Sequence, residues 1–245
     1  GFTVWRLPSG DRVAVYTHRG AEPPGWLRRL LEEVYSRLPG PGLVEVHVYP
    51  DTRAALEAVA ALAAEAGAAA PVGFEAAMHE AWSGLPRIHL AARDLEALGR
   101  DTGEAMAGHE AVHAALHGSL EYYLLPPWAD SPEAYYIAAT TVKDLEAHLE
   151  AERRGLGWIP RRLARYWGPP PRGCPHSAEE LLDTLRSAAL HLALHGEPPE
   201  TGCPRLHLPL QALHRLALGP ERPWTRRRLL YQAVLETHEG LQGNA

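Results

Sequence analysis

At 245 residues, 46 % hydrophobic and 22 % charged, the chain has an ordinary globular composition and the length for one large core, or for one domain with a smaller partner. A net charge of −6 gives no electrostatic footprint for nucleic acid or an anionic membrane, and no apolar run approaches the roughly 20 residues that span a bilayer. Lys143 is the only lysine among 24 basic residues, and two Met, two Cys and one Asn complete a composition compatible with a thermophile.

The N-terminal part predicts alternating strands and helices. Gly1 to Arg6 reads as a strand and not as a signal peptide, so a cytoplasmic location is expected. Phe2 to Leu7 and Arg12 to His18 flank Ser9-Gly10-Asp11 as a hairpin, and Gly25 to Leu38 has the periodicity of an amphipathic helix. Leu43 to Tyr49 alternates as a strand. Asp51 caps an alanine-rich helix that runs to about Ala66, with Gly67 as its stop. His79-Glu80-Ala81-Trp82 begins like a metal motif, but Ser83 stands where the second histidine would be, and it is set aside. Arg87 to Ala91 is the next strand, bounded by Pro86 and by Arg93-Asp94.

A helix follows over Ala105 to His117, started by Asp101 or Thr102 with Glu104 and stopped by Gly118. It carries His109-Glu110-Ala111-Val112-His113. Residues four apart lie one above the other on a helix, so the two imidazoles can grip one metal ion. Glu110, one step round, can take the proton of a metal-bound water. At about 100° per residue, His109, His113, His117 and Glu110 fall within one arc of roughly 100°, while nearly everything else is Ala, Val, Leu or Gly. A helix apolar over most of its circumference belongs in a core, where three histidines and a glutamate need a metal or hydrogen-bond partners. His117 swings further round than His113, which suits it to a helix cap or to holding a ligand in place more than to direct ligation.

This segment, within about residues 85 to 150, resembles the zincin superfamily of metallopeptidases. The resemblance implies zinc held by His109 and His113, with Glu110 as general base, and a substrate-binding edge strand just before the helix, the place occupied by Arg87 to Ala91. It also implies a Tyr or His that steadies the oxyanion. Tyr122, Tyr123, Tyr135, Tyr136 and His148 lie in the right part of the chain, and no spacing rule selects among them.

A catalytic zinc needs a third protein ligand. The metzincin extension fails, because Leu116 and Ser119 stand where its glycine and third histidine belong. A gluzincin-like arrangement takes the ligand from a downstream helix, and Ser131-Pro132-Glu133 starts one that continues to about Arg154. Its apolar stripe is Tyr135, Ala138, Ala139, Val142, Leu145 and Leu149. Glu146 falls inside the stripe, Asp144 lies roughly opposite and Glu150 at the margin. A carboxylate directed into a core wants a cation, so Glu146 is the expected third ligand, with Asp144, His148 and Glu150 as alternatives and an ion pair with an arginine as the other use of Glu146.

Trp167 to Gly173 is a stiff break, and helices at about 177 to 195, 208 to 218 and 224 to 240 follow. His191 and His195 repeat the histidine spacing without a general base and read as core or rim residues. Cys174 and Cys203 can close a loop of about 30 residues as a disulfide or, with His176, contribute to a metal site. The expected fold is α+β: a zincin-like mixed sheet with its active-site helix and third-ligand helix over 1–168, then an all-helical part over 169–245. The expected activity is zinc-dependent hydrolysis of a peptide or protein substrate. The alternatives are an inactive zincin-like protein whose zinc serves a structural or regulatory role, and hydrolysis of a non-peptide amide.

Overall fold

A computed structural model describes residues 1–68, 74–219 and 223–242. It is α+β, and the chain divides into two compact units, residues 1–124 with 154–163 and residues 125–153 with 164–245.

The first unit is built on a five-stranded mixed sheet in the order β1-β2-β3-β5-β4. β1 (Phe2–Arg6) and β2 (Arg12–Thr17) form the expected hairpin, which turns through Gly10 at φ +94°, a conformation that favours glycine. β3 (Leu43–Tyr49) runs parallel to β2, β5 (Arg87–Ala91) runs parallel to β3, and β4 (Ala77–Glu80) is antiparallel to β5 at the margin. The strand expected at the edge, Arg87–Ala91, is therefore interior. The edge is β4, a four-residue strand too short to announce itself by alternation.

Alternation sorts the sheet residues onto two faces. Val13, Val15, Val44, Val46, Val48, Ile88 and Leu90 share one face and are almost wholly buried, each contributing on the order of 1.5–3 kcal/mol. His79 belongs to this face through its pairing with Ile88. The other face carries Tyr16, Glu45, His47, Tyr49, Arg87, His89 and Glu80. Helix α2 (Thr52–Ala66) lies over its Tyr49 end, with Asp51 Oδ1 accepting from the Ala54 N–H at 2.9 Å and Gly67 closing the helix at φ +66°, as expected.

Helices α1 (Leu27–Arg37) and α4 (Arg100–Leu116) pack together, and α4 packs on β4 and β5, after the short α3 (Ala92–Ala97). The motif thus sits on α4. Gly99, at φ +81°, precedes its first turn, and neither Asp101 nor Thr102 caps it. Small residues let α4 approach its neighbours: a Cβ on Gly108 would stand 3.0 Å from Ile159 Cδ1, at the start of α6 (Trp158–Trp167). Arg162 on the same stretch pairs with Glu104 at 3.2 Å and Asp101 at 3.4 Å.

The second unit is helical. α5 (Pro132–Arg153), whose Ser131 Oγ accepts from the Ala134 N–H at 3.2 Å, packs on α7 (Ala178–His195) and α9 (Pro223–Gln242), with α8 (His207–Leu218) alongside. Leu145, Leu181, Leu185, Leu206, Leu213, Leu230 and Val234 fill its core. A disulfide joins Cys174 to Cys203 across 29 residues, so these sulfurs are not metal ligands. Among the described residues no helix is long and apolar enough to cross a membrane.

Candidate metal centre

His109 and His113 lie one turn apart on α4 and are 3 % and 7 % exposed. Their Nε2 atoms approach to 3.0 Å, while the ring centres are 4.4 Å apart and the planes 80° from parallel. An imidazole nitrogen lies roughly 1.1 Å from its ring centre, so an in-line N–H···N bond of that length would hold the centres about 5.2 Å apart. The observed centres are closer, so the contact is not an in-line hydrogen bond. Two ligands on a tetrahedral zinc, at about 2.0–2.1 Å from it, stand about 3.3 Å apart, and the pair fits that demand.

The other nitrogen of His113 is different. His113 Nδ1 and His117 Nδ1 are 2.9 Å apart with ring centres at 5.1 Å, the spacing of an in-line hydrogen bond. With Nε2 turned to a metal, His113 carries its proton on Nδ1 and donates it to His117, which fixes the ring. His117 is fully buried and caps the helix, its own N–H donating to the His113 carbonyl at 2.7 Å. It thus holds the orienting place expected of it. A Cβ on Gly118 would fall 2.4 Å from the Ala114 carbonyl oxygen, so only glycine lets the chain leave α4 here.

That exit brings Tyr122 edge-on to His117 and Tyr123 to β4, where its hydroxyl lies 2.8 Å from His79 Nδ1. The His79 ring is buried and stacks on His113, 7° from parallel with centres at 6.1 Å. Sequence reasoning passed over His79, because only strand pairing and the fold of the 117–123 segment bring it to His113. Glu110 is half-buried on α4, one step round from His109.

In the second unit, α5 holds the carboxylates. Asp144 is 3 % exposed and accepts from Arg186 Nε at 2.6 Å. Glu146, the expected third ligand, is the more exposed of the two and accepts from Arg226 Nε at 3.1 Å. The expectation that Glu146 turns inward and Asp144 outward is thus reversed. Asp144, Leu145, Ala147 and His148 are all buried, so α5 is covered on more than one side and its apolar stripe does not single out the inward carboxylate. Glu150 is half-buried and lies 3.7 Å from Arg153. His109 and His113 in the first unit and Asp144 in the second are each buried, and each offers an atom of a type that ligates a metal ion.

The opposite face of the sheet holds a second polar cluster. Glu80, fully buried, is paired with Arg87 at 2.6 Å, accepts from the Trp82 N–H at 2.7 Å and lies 3.2 Å from His89 Nε2. A carboxylate only accepts, so His89 donates from Nε2 and its Nδ1 receives the Tyr49 hydroxyl at 3.2 Å. Burial pushes the Tyr49 phenol up to about 12. His47 stacks between Tyr16 and His89 and bonds His18 at 3.1 Å. Burial, with repulsion from His89, His18 and Arg87, holds its pKa down at about 3, and burial likewise lowers His89 and His18.

Against family models, curated proteins and solved structures, the chain matches none.

Proposed function

We propose that the chain is a zinc-dependent metallopeptidase, as its motif resemblance implies. His109 and His113 are two of the metal ligands and a carboxylate of α5 is the third. We assign that place to Asp144, in preference to Glu146, because Asp144 is the buried carboxylate of the two. The observation that carries the reading is the 3.0 Å approach of the two buried Nε2 atoms, on the helix that also bears Glu110.

Bound zinc supplies Lewis acidity, lowering the pKa of water from about 15.7 toward 7. The protein's own part is proton handling. Glu110 accepts a proton from the attacking water as its oxygen adds to the peptide carbonyl carbon, and returns it to the amine nitrogen as the C–N bond breaks. His117, through His113, keeps the ligand ring oriented. Glu110→Gln is expected to retain the metal and lose at least 10²-fold in kcat against a peptide library; an active Glu110→Gln protein would rule out this mechanism.

The burial of His109, His113 and Asp144 favours one other reading, a metal that only pins the fold. Chelation that sharply lowers the melting temperature of a protein cleaving no peptide would select it.

A further inference from the structure

We infer that the first unit binds a free α-amino acid in a cavity on the sheet face opposite His79, holding its ammonium with Glu57, His18 and Tyr49 and its carboxylate with Arg19. The cavity measures about 290 Å³ and is lined by His18 and Arg19 just past β2, Tyr49 at the end of β3, and Ala54, Glu57 and Ala58 of α2. It is independent of the metal centre and of the peptidase reading.

Two hydrogen-bond chains end at this cavity. In the first, Glu80 accepts from His89, whose Nδ1 accepts from the Tyr49 hydroxyl at 3.2 Å, so the Tyr49 oxygen keeps its lone pairs for a further donor. In the second, Glu45 Oε2 lies 3.4 Å from His47 Nε2, and His47 Nδ1 lies 3.1 Å from His18 Nε2. The His18 and His47 ring centres are 5.3 Å apart, the spacing of an in-line hydrogen bond. A carboxylate only accepts, so the proton of His47 is on Nε2, its Nδ1 accepts from His18 Nε2, and His18 Nδ1 is left as an acceptor. Burial lowers the pKa of both rings and keeps them neutral, with the charged N-terminus and His89 adding to the effect at His18. His18 stacks on Tyr49, 9° from parallel with centres at 4.5 Å, which sets the ends of the two chains side by side.

Glu57 and Arg19 complete the set. They pair at 3.2 Å on the rim, where both are well exposed, and Glu57 is also paired with Arg53 at 3.3 Å. An exposed pair of this kind is weak, so exchanging it for a ligand's charges costs little. An ammonium has three N–H donors, which Glu57, His18 and Tyr49 match as acceptors, and a carboxylate matches the fork of the Arg19 guanidinium. Because Arg19 and Glu57 cancel, a zwitterion suits the cavity better than a lone anion or cation. The methyl groups of Ala54 and Ala58 are the remaining wall, which suits an aliphatic side chain.

Calorimetric titration of the full chain with L-leucine, N-acetyl-L-leucine and L-leucine amide tests this, with the histidine ring signals followed by NMR. Leucine is expected to bind and to shift the His18 and His47 signals while leaving those of His109 and His113 in place. The acetylated compound and the amide each lack one charge of the zwitterion and are expected to bind about 10–100-fold more weakly. Arg19→Gln is expected to weaken leucine about 10-fold and to leave the amide unchanged. His18→Phe keeps a ring on Tyr49, removes the acceptor and is expected to weaken leucine by a similar factor. Melting curves identify a His18→Phe protein that fails to fold, in which case Arg19→Gln decides alone. No binding at millimolar leucine would overturn the inference, as would equal affinity for the three compounds or wild-type affinity in Arg19→Gln. Leucine that shifts His109 and His113 with His18 unmoved would place it at the metal centre and overturn the inference as well.

Discussion

His113 shows how much one side chain can be asked to do. One nitrogen lies 3.0 Å from that of His109, the other is bonded to His117, and its ring face receives His79. The first relation was legible from the four-residue spacing, and the second from the place of His117 on the helix wheel. The third was not, because nothing local to His79-Glu80-Ala81-Trp82 signals that its strand pairs beside β5. The choice between Asp144 and Glu146 was illegible for another reason: a helical wheel assumes one buried face, and α5 has more than one. Histidines also set a pH dependence. The unfolded chain takes up protons near pH 6.5, while folded His47 stays neutral down to about 3, with His18, His89 and Arg87 around it and Glu45 at 3.4 Å. The unfolded state thus binds more protons below about pH 6.5, so stability is full above that value and falls as the pH drops through this window. Thermal melts are expected to shift down by several degrees between pH 7 and pH 5, and His47→Gln to flatten that slope; parallel slopes in the two proteins would remove His47 as the cause.

Elements were more legible than contacts. The Leu43–Tyr49 strand and the Asp51-capped helix to Ala66 lie where alternation and capping place them, because Asp51 accepts from Ala54 and Gly67 takes the left-handed turn. The start of α5 was marked by Ser131, and that of α7 by Ser177, which accepts from the Glu180 N–H at 3.1 Å. β4 and α6 were missed, the first for its brevity and the second for the Pro160 within it, which sits in the opening turn where proline is tolerated. The order of strands was also hidden, since pairing β5 between β3 and β4 is a long-range choice. At this scale the disulfide is testable. Closing 29 residues removes unfolded-state entropy worth about 3–4 kcal/mol in the chain model. Reduction, or Cys174→Ser with Cys203→Ser, is expected to lower the melting temperature by roughly 10 °C. An unmoved melting curve would mean that the 174–203 loop is already ordered in the unfolded chain.

For the molecule as a whole, the sequence reading divides the chain at about residue 168, whereas the compact units are residues 1–124 with 154–163 and residues 125–153 with 164–245, so the helix over Pro132–Arg153 belongs with the later helices. The central claim is that the chain holds a metal through α4 histidines and an α5 carboxylate, with Glu110 placed to handle protons. Elemental analysis of protein purified without a metal-affinity tag tests it most directly, on wild type, His113→Ala, Asp144→Asn and Glu146→Ala. The account predicts about one zinc per chain in wild type and in Glu146→Ala, and its loss in His113→Ala and Asp144→Asn. Zinc lost in Glu146→Ala but kept in Asp144→Asn would return the third place to Glu146. A wild type that takes up no metal after reconstitution would contradict the claim outright, leaving His109, His113 and His117 as a buried hydrogen-bonded strip.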